Sequence, residues 1–413
     1  MPRLRVLVIS AYYFPFQGGT ETHARWAAKA LASSGAEVIV LTKQDDRGSP
    51  AVEVIDSVRV YRVPPAGPRG GLRKWSMIPF VVRKALALKR DYDVIYCPGY
   101  QGIGLAALWA GAWLGRPVVL RSGNLGVLRG DQWNAPLARW HVPSGFLPVR
   151  WLKSWFTRTY KRADMMFCNC RENETEALEC GMPRDRLTYL PNGVDITRFR
   201  PVASDDERAA ARRGAGWPAD SKICLYVGRL SAEKGVMELL DAWRAFNTAG
   251  WTLVLVGPDM PGHAIDAGPA ARQFVADHGM QNRVVFHGES TDTAPLLRGA
   301  DLYVQPSHYE SFSNALVEAM GTGLPVVATR VGGMLDCIVD GHNGVLCHPR
   351  DAADLARALQ SLVNAPGTAA ALGRHARETI VESFHDVTMS ERMVSAIASC
   401  VERRALRDAS ARA

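Results

Sequence analysis

The chain reads as an α/β protein of two parallel-sheet domains, and three observations lead there. Apolar, β-branched runs alternate with longer helical stretches in each half of its 413 residues. The alternation lapses once, around 196–203, where TRFRPVASDD loses periodicity and gains proline and charge. After about Asp351 the remainder is mainly helical. Strands separated by helices over such lengths pair in parallel and are covered on both faces. The length suffices for two substantial cores.

The first half begins with MPRLRVLVISAYYFPF, a strand that runs into a turn. Its apolar run is too short and too β-branched for a signal peptide, and Pro15 interrupts it. Strands follow near 4–10, 37–42, 58–62, 93–97, 117–121, 165–169 and 187–190, with a helix near 20–34 that stops at Gly35. The longest uncharged stretch, Val94 to Gly115, has the composition of a membrane span. Pro98, Gly99, Gly102 and Gly104 break it, so a strand followed by a buried helix is expected. In the second half, strands are expected near 222–227, 252–256, 284–287, 301–305 and 325–329.

Composition is that of a globular protein, 47% apolar and 22% charged, with no low-complexity tract and no solenoid period. The eight cysteines include no CxxC, and Cys168-x-Cys170 is the one close pair. Reduced, buried thiols and a cytosolic compartment are expected, with no metal site.

The stretch PSHYESFSNALVEAMGTGLPVVATRVGG carries the chemistry. It reads strand end, turn, helix, strand. Glu310 lies in the loop at the carboxyl end of one strand, and Glu318 about one turn into the following helix. In an open parallel sheet that edge binds ligands. Ser311, Ser313 and Asn314 can cap the helix, whose free N–H groups favour an anion. Alone, two glutamates at this spacing describe many solvated helix faces. Upstream, after KICLYV, comes Gly228-Arg229-Leu230-Ser231-Ala232-Glu233-Lys234-Gly235. A glycine turn with a cation at once and another five residues later suits a diphosphate, Arg229 as a fork and Lys234 as a point charge.

With those features, PNGVD at 191–195, the Gly332-Gly333 to Gly344 run and Gly18-Gly19, the sequence resembles the retaining glycosyltransferases of family 4 over nearly its whole length. The resemblance implies a GT-B fold: two Rossmann-like parallel-sheet domains facing across a cleft, the last helix crossing back to the first domain. The implied boundaries are 1–197 for an acceptor-side domain, 198–384 for a donor-binding domain and 385–413 for the returning helix. It further implies that Gly18 and Gly19, Arg229 and Lys234 meet the donor diphosphate. Glu310 would bind hydroxyls of the transferred sugar near the anomeric carbon, helped by the amides of Ser311, Phe312 and Ser313, and Glu318 would bind the ribose. Glu310, Arg229 and Lys234 are the catalytic candidates. Asn192 reads as a turn residue, His287 and His308 as structural or as supports for residues that touch the ligand, and His23 as a residue on the surface of the first helix. Asp336 stands where the family usually has Glu. The family also carries a His after the strand matching PVVL, where this chain has Arg121-Ser122-Gly123-Asn124, leaving Ser122 and Asn124 as acceptor-side donors.

Charge is uneven. Residues 1–195 hold 27 Lys/Arg against 16 Asp/Glu, a net of +11, so the rest is −3 for the total of +8. Two stretches, 57–90 and 132–163, contain no acid. The first holds Arg69, Arg73, Lys74, Trp75 and Phe80, and the second Trp133 and Trp140 with Arg150, Trp151, Lys153, Trp155, Arg158 and Lys161. Three readings stand: a face lying on an anionic bilayer, a basic face whose tryptophans are core, and a nucleic-acid surface, for which no groove-reading motif is present.

Taken together, the expectation is a retaining, metal-independent hexosyltransferase without a cofactor. It uses a UDP- or GDP-sugar and a lipid-linked or glycan acceptor in cell-envelope or exopolysaccharide assembly, at the inner face of the cell membrane. A nucleotide-sugar epimerase of the same fold and a non-catalytic nucleotide-sugar-binding partner are the alternatives.

Overall fold

The computed structural model describes residues 3–15, 18–45, 48–67, 73–131, 134, 137, 142–143, 146–245 and 249–410. Two compact units divide the chain, Met1–Pro191 with Thr388–Ala413, and Asn192–Val387. The sequence suggests 197/198 and 384/385 for these crossings. The PNGVD segment goes with the second unit because Val194 N donates to Phe384 O and Asp386 N to Val194 O, at 2.8 and 3.1 Å.

The first unit is an eight-stranded sheet in the order β3-β4-β2-β1-β5-β6-β7-β8. Its strands are β1 Arg5–Ile9, β2 Glu37–Lys43, β3 Val52–Ile55, β4 Val58–Val63, β5 Val94–Cys97, β6 Val118–Ser122, β7 Met165–Cys168 and β8 Leu187–Tyr189. All neighbours pair in parallel except β3 and β4. The period-two alternation sorts side chains to two cores. Leu7, Ile9, Ile95 and Leu120 enter one, and Val6, Val8, Tyr96 and Phe167 the other. Helices α1 Gly19–Ser33, α2 Arg73–Ser76, α3 Ile78–Ala87, α4 Gly104–Leu114, α5 Leu147–Tyr160 and α6 Arg171–Glu179 belong to this unit.

The second unit has a six-stranded sheet in the order β11-β10-β9-β12-β13-β14, all parallel. The strands are β9 Lys222–Val227, β10 Trp251–Val256, β11 Val284–Gly288, β12 Leu302–Gln305, β13 Val326–Thr329 and β14 Val345–Cys347. Ile223, Leu225 and Tyr303 face one core, Cys224, Tyr226 and Val304 the other. Its helices are α7 Asp205–Ala215, α8 Val236–Ala245, α9 Gly268–Asp277, α10 Ala294–Gly299, α11 Asn314–Gly321, α12 Met334–Cys337, α13 Ala352–Asn364 and α14 Pro366–Ser383.

The last helix, α15 Asp386–Ser410, returns to the first unit. Met389, Met393, Ile397 and Cys400, spaced three or four apart, are buried in the same core as Val6 and Val8. Arg404 and Arg407 anchor its end on Asp164 at 3.2 and 3.3 Å. All eight cysteines are free thiols, and seven are buried. Among the described residues no helix is long and apolar enough to cross a membrane.

Candidate active site

The first strand of the second sheet, β9, lies between β10 and β12, so the chain's direction of winding reverses between β9 and β12. Loops leaving the carboxyl ends of two such strands part there and open a crevice. The loop after β9 is Gly228–Gly235, and the loop after β12 is Pro306–Ser313. His308 N donates to Glu233 O at 2.9 Å, tying one loop to the other. Gly235 has φ 68°, and a Cβ there would stand 2.0 Å from Pro306 O, so only glycine permits this approach.

Lys234 and Glu310 reach across the crevice and form an ion pair, each side chain largely buried. Ser307 Oγ lies 3.5 Å from the same Glu310 oxygen. Beneath them runs a chain of buried polar groups. Gln305 Nε2 donates to Ser307 Oγ at 3.0 Å, while Tyr303 OH and Ser313 Oγ donate to Gln305 Oε1 at 2.6 and 3.1 Å. Thr329 Oγ1 holds Ser307 O at 2.5 Å. Such fully partnered networks fix the groups above them. Ser313 is also the N-cap of α11, accepting from Leu316 N at 3.2 Å. The free amides of that helix therefore open at the crevice, where they favour an anion.

Glu318 sits in α11, with Oε2 accepting from Thr293 Oγ1 at 3.1 Å. Burial of its carboxyl raises it to about 7, opposed by the Thr293 hydrogen bond and by Arg198. Arg229 differs from Lys234, because its side chain is about half exposed and lies 4.0 Å from the equally exposed Glu233. Its backbone carbonyl is fixed by Tyr226 OH at 2.7 Å. Behind Glu310, Gly332 has φ 49°, and a Cβ there would lie 1.6 Å from Glu310 O. Gly333 N then donates to Ser311 O at 2.8 Å. The glycine pair thus presses on the backbone of the Glu310 loop and sets its position.

In the first unit α1 begins at Gly19, with Gly18 extended and no side-chain cap on the helix start. A cavity of about 130 Å³ opens beside it at the carboxyl edge of the sheet, lined by Ser10, Tyr12, Thr20, Glu21, Gln101 and Asn124 among others. Ser122 is turned away from that lining. It is buried, and its hydroxyl donates to Asn173 Oδ1 at 2.9 Å.

The two segments match different descriptions of sugar-transferring proteins. Residues 18–193 match the glycosyl transferase 4-like domain, and 221–365 match the glycosyl transferases group 1. A D-inositol 3-phosphate glycosyltransferase of Xylanimonas cellulosilytica is 30% identical over 397 residues, spanning 90% of this chain and 91% of that protein. The chain belongs to glycosyltransferase family 4. A glycogen synthase of Mycobacterium tuberculosis is 28% identical over 409 residues, 92% of this chain and 91% of that one. The solved sucrose-phosphate synthase of Thermosynechococcus elongatus superposes with a TM-score of 0.78 at 26% identity, covering 96% of this chain and 99% of that one. This glycosyltransferase therefore has the GT-B fold.

Several residues of the family 4 chain stand elsewhere than the sequence suggests. His23 is not on the surface of α1. It is buried, with Nε2 2.8 Å from Tyr96 OH, because the helix turns that side toward the sheet. Asn192 is more than a turn residue, since its Nδ2 donates to Asn314 Oδ1 at 2.5 Å and steadies the start of α11. His287 and His308 are structural: His287 accepts from Trp217 Nε1 at 3.3 Å, and His308 pairs with Glu238 at 3.0 Å. The core reading of Trp151 and Trp155 fails, for they are 79% and 44% exposed. Of the six residues proposed for that face, Arg150, Trp151, Trp155 and Arg158 share an outward groove. Lys153 bonds Asn134 at 2.6 Å and Lys161 lies against Gly181, so both leave the stripe. Arg69, Trp133 and Trp140 lie outside the described residues, as do the side chains of Arg73 and Lys74.

Sequence reasoning missed Ser307, Gln305, Tyr303 and Thr293. Gln305 carried a signal, a lone amide ending an otherwise apolar strand. It also missed Arg121, a guanidinium buried at the end of β6 whose pKa burial pulls down.

Proposed function

We propose that this family 4 enzyme is a retaining hexosyltransferase using a UDP- or GDP-sugar. The observation that carries the reading is the Lys234–Glu310 pair spanning the β9 and β12 loops beside the capped start of α11. A cation and a helix N-terminus beside two carboxylates suit a ligand that joins a diphosphate to many hydroxyls. On this reading Arg229, Lys234 and the α11 amides receive the diphosphate, Glu318 the ribose, and Glu310 the hydroxyls of the transferred sugar.

Cleavage of the anomeric C–O bond leaves both bonding electrons on the nucleoside diphosphate. Fixed cations and amides that meet the growing charge lower the barrier, with no metal or cofactor called for. The acceptor hydroxyl attacks the same face as the bond breaks, and the leaving phosphate takes its proton, so configuration is retained. The first unit then serves the acceptor through the cavity of Glu21, Gln101 and Asn124. An acceptor at the inner face of a cell membrane, lipid-linked or a growing glycan in envelope or exopolysaccharide assembly, agrees with the net +11 of residues 1–195.

Transfer assays across UDP- and GDP-sugars test this. Arg229→Ala and Lys234→Ala should each lower turnover by about 10²–10³ with folding intact, and EDTA should leave the wild type active. Unchanged turnover in both variants would remove this loop from the mechanism, and a loss in EDTA that Mg²⁺ restores would overturn metal independence. Donor epimerised without acceptor would indicate the epimerase alternative. A donor bound but neither transferred nor hydrolysed would indicate a binding partner.

A further inference from the structure

Helix α4, GLAALWAGAWL, contains no charged residue. Its inner side is buried in the first core, yet Trp109 and Trp113, one turn apart, are 38% and 67% exposed. A helix packed on a globular domain ordinarily shows polar residues to water along that stripe, and this one shows indole rings. The expected buried helix is thus buried on one side only.

Helix α4 packs between α3 and α5. All three bury their inner sides in one core, with Val81 and Ala85 from α3, Ala106 and Ala110 from α4, and Phe156 and Tyr160 from α5. Their outer sides therefore look away from the sheet together. On α3 that side carries Phe80 and Arg83, both exposed. On α5 it carries Leu147, Trp151 and Trp155, with Arg150 and Arg158 lining the same groove.

We propose that the outward side of α3, α4 and α5 docks on an anionic bilayer, with Trp109 and Trp113 at its centre and the α5 groove at its margin. Indole suits the headgroup boundary, where its ring meets hydrocarbon and its N–H meets water. Charge selects this occupant. The stretches 57–90 and 132–163 hold no acid, so every fixed charge they bring is positive. A second copy seated by two-fold symmetry would set arginines against arginines, whereas anionic headgroups neutralise them. The proposal takes its purpose from the membrane-proximal acceptor reading, so docking is measured without donor or acceptor.

The full chain is sedimented with phosphatidylglycerol-rich vesicles and with pure phosphatidylcholine vesicles. Binding to the first alone, released by moderate salt, is expected. Trp109→Ala with Trp113→Ala should weaken binding at least tenfold, with nucleoside-diphosphate binding and melting temperature unchanged. The matching double Phe variant should recover most of the loss. The proposal is overturned if the wild type ignores anionic vesicles at low salt or if the double Ala variant binds as the wild type does. A wild-type dimer that the double Ala variant dissolves would also overturn it, as would a drop in melting temperature typical of a core ring. Vesicle binding by an enzyme that transfers only to soluble acceptors would leave the docking intact and remove the acceptor reading. Transfer to a lipid-linked acceptor without vesicle binding would do the reverse.

Discussion

Glu310 and Glu318 are both carboxylates on the same edge of one sheet, yet their surroundings separate them. Glu310 is paired with Lys234, while Glu318 is raised by burial to about 7, an effect that the Thr293 hydroxyl and Arg198 oppose without cancelling. The ribose reading makes this testable. Hydroxyl donors favour the ionised form, so nucleoside-diphosphate affinity should fall up to tenfold per pH unit below about 7 and level off above it. The folded state holds this proton more tightly than the unfolded chain. Glu318 therefore adds stability that is complete below the ordinary carboxylate pKa and is lost as pH rises through about 7. Calorimetric titration of Glu318→Gln should show both slopes flattened, and an unaltered binding profile would refute the ribose role. Glu310→Ala should keep nucleoside-diphosphate affinity and lose turnover, because the proposed contact is with the sugar alone. Equal losses of affinity in Glu310→Ala and Glu318→Ala would break the division between them.

Among elements, the turn at Gly332-Gly333 governs the Glu310 loop. Gly332→Ala must move the Glu310 carbonyl, since its Cβ would fall 1.6 Å from that oxygen. Misplacement of this size costs on the order of 10² in rate. Gly341→Ala is the control: its φ of 74° carries similar backbone strain, but nothing lies within 4 Å of the added Cβ. Turnover should fall only in the first variant, and equal rates would show that the turn does not set Glu310. The sequence made Glu310, Lys234 and the α11 cap legible because glycine turns and capping residues act locally. It did not reveal β3, whose hairpin turns on Asp56 and Ser57 at φ 50° and 66° in place of the usual Asn-Gly, nor the three-residue β14. Burial of His23 and exposure of Trp113 depend on which side of a helix meets the sheet, and an apolar or aromatic-rich helix leaves that side undetermined.

At the scale of the molecule, two α/β units were legible from the β and α periods, and the family resemblance implied the returning helix. The partners of that helix within the first unit were not, because the four side chains it buries share a core with Val6, Val8 and Tyr96, hundreds of residues earlier. Met389, Met393, Ile397 and Cys400 are each fully buried. Removing a buried side chain of this kind costs about 2–5 kcal/mol, so losing all four rivals the whole stability of a domain, about 5–15 kcal/mol. A chain ending at Val387 should lose amide-exchange protection in β1 and β2 while retaining it in β9 and β10. Unchanged protection in β1 would show the helix to be dispensable.

The position of that helix also has a consequence for the ribosome. The sheet surface formed by Val8, Tyr96 and Phe167 leaves the exit tunnel long before the helix that completes its cover. At about 5–20 residues per second, the roughly 200 intervening residues take on the order of 10–40 s to synthesise. For that interval helix α1 covers the face alone and the nascent first unit presents a partly uncovered apolar sheet, a surface that chaperones hold and nascent neighbours aggregate upon. The second unit, by contrast, is contiguous in the chain and can close as soon as it emerges.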